Sequence, residues 1–102
     1  MTIRVMLYTE APEGGEKEFE EAYRQVATQM RGVDGHIADE LLREPGSSRY
    51  LLLAEWEDER RFAAWVGDPA HTIRTGPLVP YLERSFQRAV YEVAVRPTDQ
   101  QG

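Results

Sequence analysis

The run Tyr50-Leu51-Leu52-Leu53-Ala54-Glu55-Trp56 constrains this chain more than any other stretch. Side chains of a strand alternate between two faces, so Leu51 and Leu53 point one way while Leu52, Ala54 and Trp56 point the other. A strand with one wet face alternates apolar with polar residues, and this one does not. It therefore reads as a strand of a sheet covered on both faces. Residues 85–95 repeat the pattern, with Phe86, Val90 and Ala94 opposing Ala89, Tyr91, Val93 and Val95.

The flanking periodicities supply the rest of the plan. Ile3, Val5 and Leu7 alternate with Arg4, Met6 and Tyr8, which predicts a first strand over residues 2–9. After the break at Pro12-Glu13-Gly14-Gly15, Phe19, Ala22, Tyr23, Val26, Ala27 and Met30 recur at helical spacing and form one apolar stripe. Glutamates crowd the first turns of that helix and Arg31 its last, as the helix dipole prefers. Gly32 then supplies a stop. Residues 36–43 predict a second strand, and Glu44-Pro45-Gly46-Ser47-Ser48 a turn into the third. Asp58 is placed to cap a helix running to about Val66, and Asp68-Pro69 to open another short helical piece. The order is strand, helix, strand, strand, broken helix, strand. That is the α+β, ferredoxin-like split βαβ plan, a four-stranded antiparallel sheet with helices on one face. One domain spans residues 1–96, and 97–102 form a polar tail. Two helices cover only one face of such a sheet. The simplest cover for the other is a second copy of the chain, so a homodimer packed through the open sheet face is expected.

Composition removes several function classes. A chain of 102 residues holds one core. Its net charge of −6 opposes binding to nucleic acid or an anionic membrane. There is no Cys, which excludes disulfides, thiolate catalysis, zinc–thiolate sites and iron–sulfur clusters. No metal site is expected, since His36 and His71 are far apart and no HxH, HxxxH or HExxH spacing occurs. Flavin or nicotinamide binding lacks a glycine fingerprint. The chain enters its first strand without a basic and then apolar leader, so a cytoplasmic location is expected. It also contains no Asn, so no mechanism here can use that side chain.

Three stretches carry a family resemblance: RVMLYTEAPEGGEKEFEEAYRQV, ELLREPGSSRYLLLAEWED and RFAAWVGDPAH. Together they resemble the antibiotic biosynthesis monooxygenase family, small dimeric α/β-barrel proteins. Some members oxidise anthrone-type polyketides to quinones with molecular oxygen and no cofactor; others degrade haem, and fold relatives cyclise polyketides. The haem-degrading pattern pairs a first-strand Asn with a Trp on the second helix and a His beyond it. Here those positions are Leu7, Trp65 and Thr75, so two of the three differ. The oxygenase branch commonly places an Asn one helical turn before the Trp, and this chain has Arg61 there.

The resemblance implies a cofactor-free monooxygenase of an electron-rich aromatic polyketide, with Trp65, His71 and Arg74 as catalytic residues. Leu7, Tyr23, Phe62 and Tyr81 are the expected substrate-binding residues. Each has a plainer reading. Trp65 and Phe62, three apart on one helix face, also suit simple core packing. His71 at a helix start suits capping, although its near-neutral pKa suits proton transfer. Arg74 suits a surface ion pair, or stabilisation of a phenolate or bound superoxide. His36, after Gly35, is a further but weaker candidate, and Tyr8, Tyr50 and Tyr91 suit packing surfaces. A polyketide cyclase or aromatase on the same scaffold, or a small-molecule binding protein without turnover, are the alternatives.

Overall fold

The computed structural model describes residues 1–69, 76–78 and 87–97. Strand β1 spans Ile3–Glu10, helix α1 Glu16–Gln29, strand β2 His36–Arg43 and strand β3 Arg49–Trp56. Helix α2 spans Glu59–Gly67, a 3-10 turn Gly76–Leu78, and strand β4 Gln87–Glu92. The sheet order is β2-β3-β1-β4, every neighbouring pair antiparallel. This is the expected ferredoxin-like arrangement.

β3 lies between β2 and β1. The register sets Ile3 opposite Trp56, Val5 opposite Ala54 and Leu7 opposite Leu52, all on the face that carries the helices. Phe19, Ala22 and Val26 of the α1 stripe bury there, against Ile3, Val5, Tyr50, Trp56 and Trp65. Phe19 meets Tyr50 edge to face with ring centroids 4.7 Å apart, a geometry that favours the aromatic quadrupoles. Tyr50 also donates a 2.7 Å hydrogen bond from its hydroxyl to Glu20, tying β3 to α1. The opposite face presents Met6, Tyr8, Leu42, Leu51, Leu53 and Tyr91, of which Tyr8, Leu42 and Tyr91 are exposed.

The ends of the elements follow local chemistry. The Asp58 carboxylate accepts a 2.8 Å hydrogen bond from the Arg61 backbone N–H, the expected cap of α2. α1 stops at Gln29, so its last turn holds no basic residue and Arg31 lies beyond it. The Met30 N–H is shared between the Val26 and Ala27 carbonyls, a tightening that ends the helix before Gly32 turns the chain at φ +81. β4 is shorter than the expected 85–95: its ladder with β1 ends at Glu92, and residues 85–86 lie outside the described residues.

Gly35 is a position where glycine is required. Its φ is +86, and a Cβ there would lie 2.5 Å from Arg61 Cδ and 2.6 Å from Arg61 Cβ. The Gly35 carbonyl accepts a 2.8 Å bond from the Glu57 N–H, so the backbone cannot turn away freely. Gly35→Ala is expected to cost about 2–4 kcal/mol, from left-handed strain plus the collision. Urea unfolding measures this, and a loss below about 0.5 kcal/mol would contradict the packing described.

Candidate functional site

A cavity of about 160 Å³ lies between the helix-facing side of the sheet and the two helices. Val5, Leu7, Leu52 and Ala54 form its floor, with Tyr23, Val26 and Met30 from α1 and Phe62 and Trp65 from α2. Trp56 stands at the end of β3, 2% exposed, and meets the Phe62 ring edge to face at 5.4 Å. A larger hollow of about 680 Å³, beside Glu10, Arg43, Glu44 and Arg49, is open to solvent. Its arginines already face Glu10, Glu20 and Glu44, so it offers no concentrated chemistry.

Four of the site residues expected from the sequence, Leu7, Tyr23, Phe62 and Trp65, come together in the aromatic cavity, and so does the weaker candidate His36. His71, Arg74 and Tyr81 fall outside the described residues. Arg61, one turn before Trp65, does not line the cavity. Its stem lies over Gly35, and its guanidinium pairs with Asp58 and approaches Asp34 at 3.5 Å and Glu57 at 3.6 Å. The family's hydrogen-bonding position is thus occupied here by a cation drawn outward into carboxylates.

Polar groups enter the cavity from β2 instead. The Tyr23 hydroxyl donates to Asp39 Oδ1 at 2.6 Å, and His36 Nε2 lies 3.2 Å from Asp39 Oδ2. The His36 ring meets Trp56 edge to face at 5.3 Å. His36 and Asp39 are three residues apart, which in a regular strand puts them on opposite faces. Here the register shifts between His36 and Ala38: His36 pairs with Trp56 and Ala38 with Glu55. Ile37 is the extra residue of a bulge, and the bulge brings both side chains to the helix-facing side. Alternation alone hides this, and only Gly35 before the strand hinted at an irregular start.

At the other edge of the sheet, Arg88 of β4 lines the same cavity and lies over the Phe62 ring, 5.7 Å from its centroid. It makes no ion pair with a carboxylate among the described residues. Arg88 was not singled out from the sequence. Its spacing of two from Val90 puts both on one strand face, but only the pairing of Val90 with Val5 shows that this is the helix-facing side, with Arg88 opposite Leu7.

Burial pushes the Asp39 carboxyl up, but hydrogen bonds from His36 and Tyr23, and attraction to the His36 ring when it carries a proton, hold it below its ordinary value. Burial first, and then the bond to Asp39, pushes the Tyr23 phenol well above its usual range. Because Asp39 is more acidic folded than unfolded, its stabilisation is complete above the ordinary carboxylate pKa. It is lost as pH falls through the folded value. Asp39→Asn is therefore expected to lower the melting temperature most near pH 7, with the difference closing below about pH 4. A difference constant across that range would contradict the hydrogen-bonded carboxylate.

No helix among the described residues is long and apolar enough to cross a membrane. No cluster of three His, Cys, Asp or Glu able to hold a metal occurs among them.

Comparison with known proteins places this geometry in a family. The chain is 31% identical over 81 residues to protein SchA of Streptomyces halstedii, covering 78% of this chain and 21% of that protein. It thus spans about a fifth of that relative's length. It is also 31% identical over 68 residues to a heme oxygenase (mycobilin-producing) of Mycobacterium tuberculosis, covering 66% of this chain and 65% of that one. SnoaB, a cofactor-independent oxygenase from Streptomyces nogalater, shares the fold with a TM-score of 0.80 at 18% identity, over 94% of this chain and 96% of that one. Residues 2–72 match the family model described as antibiotic biosynthesis monooxygenase, and the chain belongs to that family.

Proposed function

We propose that this chain is a cofactor-independent monooxygenase acting on an electron-rich aromatic polyketide, an anthrone or phenol converted to a quinone by molecular oxygen. The observation that carries the reading is the cavity itself. Trp56, Phe62 and Trp65 form apolar walls, with a His–Asp–Tyr array on one edge strand or facing it and a guanidinium on the other. The substrate supplies the electrons. Its activated C–H or O–H loses a proton, and the anion passes one electron to oxygen. Recombination of the radicals forms a peroxide at carbon, which is protonated and loses water to leave the new carbonyl. One oxygen atom stays in the product and the other departs as water. For this the protein must exclude bulk water, accept a proton and stabilise an anion. Trp65 and Phe62 form the wall, and Arg88, which has no ion pair among the described residues, lines the cavity where it can meet the anion.

Haem degradation, the activity named for the Mycobacterium tuberculosis relative, suits this chain less well. The expected first-strand donor is Leu7, an apolar wall residue of the cavity, and the expected His is Thr75. A cyclase or aromatase is the second reading, favoured by the hydrogen-bonded His36–Asp39 pair and by Arg61 in place of an Asn. We further propose a homodimer through the open sheet face, where Met6, Tyr8, Leu51, Leu53 and Tyr91 form an apolar surface that no helix among the described residues covers.

Oxygen consumption by the purified protein, with anthrones and naphthols and without added cofactor, tests the central reading. Uptake matched by quinone formation is expected. Dehydration of a polyketide without oxygen uptake would move the assignment to the cyclase, and binding without turnover to a carrier protein.

A further inference from the structure

We infer that His36, oriented by Asp39, is the group that takes the proton from a hydroxyl-bearing aromatic ligand in the cavity. The inference rests on the proposed reading of the cavity as an aromatic-substrate site, and it adds a residue with a definite chemical task. Three observations carry it. His36, Asp39 and Tyr23 all line the cavity together with Leu7, Phe62 and Trp65. The Asp39 carboxylate is shared, accepting from the Tyr23 hydroxyl at 2.6 Å and facing His36 Nε2 at 3.2 Å. The Ile37 bulge and the edge contact with Trp56 at 5.3 Å fix where the imidazole stands.

The tautomer follows from the partners. A carboxylate only accepts hydrogen bonds, so the nitrogen facing Asp39 carries the hydrogen and the other nitrogen keeps its lone pair. That other nitrogen, Nδ1, has no hydrogen-bond partner among the described residues. The imidazole is thus a base whose acceptor atom is uncommitted. In the step proposed, the ligand O–H bond breaks, its electron pair stays on oxygen, and the proton moves to Nδ1. The imidazolium is then balanced by Asp39, which remains ionised, while Tyr23 holds the second carboxylate oxygen. Asp39 and Tyr23 are positioning residues, since each acts through His36. The proton is available for return to the product side of the reaction. A bulge that turns two polar residues toward an apolar cavity gains one ring contact and one hydrogen bond, against the desolvation cost of burying both groups. A task at the cavity accounts for it.

The test uses 4-nitrophenol, whose phenolate absorbs in the visible, at a pH where the free probe is predominantly neutral. Wild-type protein saturated with the probe is expected to show the phenolate band. His36→Gln keeps a hydrogen bond to Asp39 but cannot take the proton. It should bind the probe within about threefold of wild type and leave it neutral, with oxygen uptake on a phenolic substrate falling about 100-fold or more. His36→Phe, which keeps the ring against Trp56, serves as a second variant should the first lose its circular-dichroism melting transition. Asp39→Asn should shift the pH midpoint of the phenolate band without abolishing binding, a change that a purely structural role would not produce. The inference falls if the phenolate band is equally strong in both His36 variants, if the wild type binds the probe only in neutral form, or if the probe does not bind. Phenolate formation without oxygen uptake on any substrate would leave this inference standing and remove the oxygenase. Full oxygen uptake in His36→Gln would do the reverse.

Discussion

Trp56→Ala is expected to cost about 3–5 kcal/mol of stability, the largest loss of any single side-chain truncation in this domain. Trp56 is the bulkiest fully buried side chain, 2% exposed, at the end of a central strand. Its loss removes a large apolar area and leaves a hole beneath two rings that lean on it, His36 at 5.3 Å and Phe62 at 5.4 Å. A close-packed interior refills such holes only in part, so most of the lost contact is not recovered. Domains of this size are stable by about 5–15 kcal/mol in all, and the variant therefore sits near the edge of folding. A fall in melting temperature of more than about 12 °C follows. Calorimetry measures it, and a fall of only a few degrees would show that Trp56 is not the keystone of this end of the core.

Trp65→Ala is expected to act on ligand as strongly as on fold. The side chain is 7% exposed, part of the core and also a wall of the cavity. Removing it should cost about 3 kcal/mol of stability. It should also weaken a bicyclic phenol such as 1-naphthol by roughly tenfold, because a stacked aromatic contact contributes on the order of 1 kcal/mol beyond area. Trp65→Phe keeps a flat ring, and should hold affinity within about threefold. Titration calorimetry on both variants checks the pair. Equal affinity in wild type and Trp65→Ala would mean that aromatic ligands do not lie against this wall.

Much of the fold is legible because its causes are local. The α1 stripe, the two-sided β3 run, the Asp58 cap and the turn at Glu44–Ser48 each follow from side-chain spacing, backbone preference or a single capping bond. The apolar half of the site is legible for the same reason: Phe62 and Trp65 share a helix face, and Leu7 shares a strand face with Ile3 and Val5. The polar half is legible only in part: Tyr23 and, more weakly, His36 stand out as candidates, but their meeting with Asp39 does not. His36 and Asp39 reach one face only through the Ile37 bulge, a one-residue event that alternation cannot announce. Tyr23 and Asp39 are 16 residues apart and meet only once α1 lies on the sheet. Arg61 stands one helical turn before Trp65, yet the carboxylates of Asp34, Glu57 and Asp58 surround its head. Opposite charges nearby in the fold decided its direction. Arg88 was concealed by a different cause, since it stands in a mixed stretch whose facing is set by pairing with β1.

These placements suggest how one family scaffold can retain an aromatic wall while moving its polar chemistry. In this chain the helix position before Trp65 is spent on a surface ion cluster, and His36 and Asp39 of β2 bring polar side chains to the cavity instead. The cavity then has an imidazole–carboxylate pair at one sheet edge and a guanidinium at the other. An elongated phenolic ligand lying across β3 and β1 would meet both.

The most direct measurement is a turnover in heavy-isotope oxygen gas, with purified protein, an anthrone substrate and no added cofactor. One labelled atom in the quinone carbonyl, with the other in water, is the expected result. A quinone whose new oxygen is unlabelled and derives from solvent, or no quinone at all with a substrate that binds, would contradict the oxygenase reading.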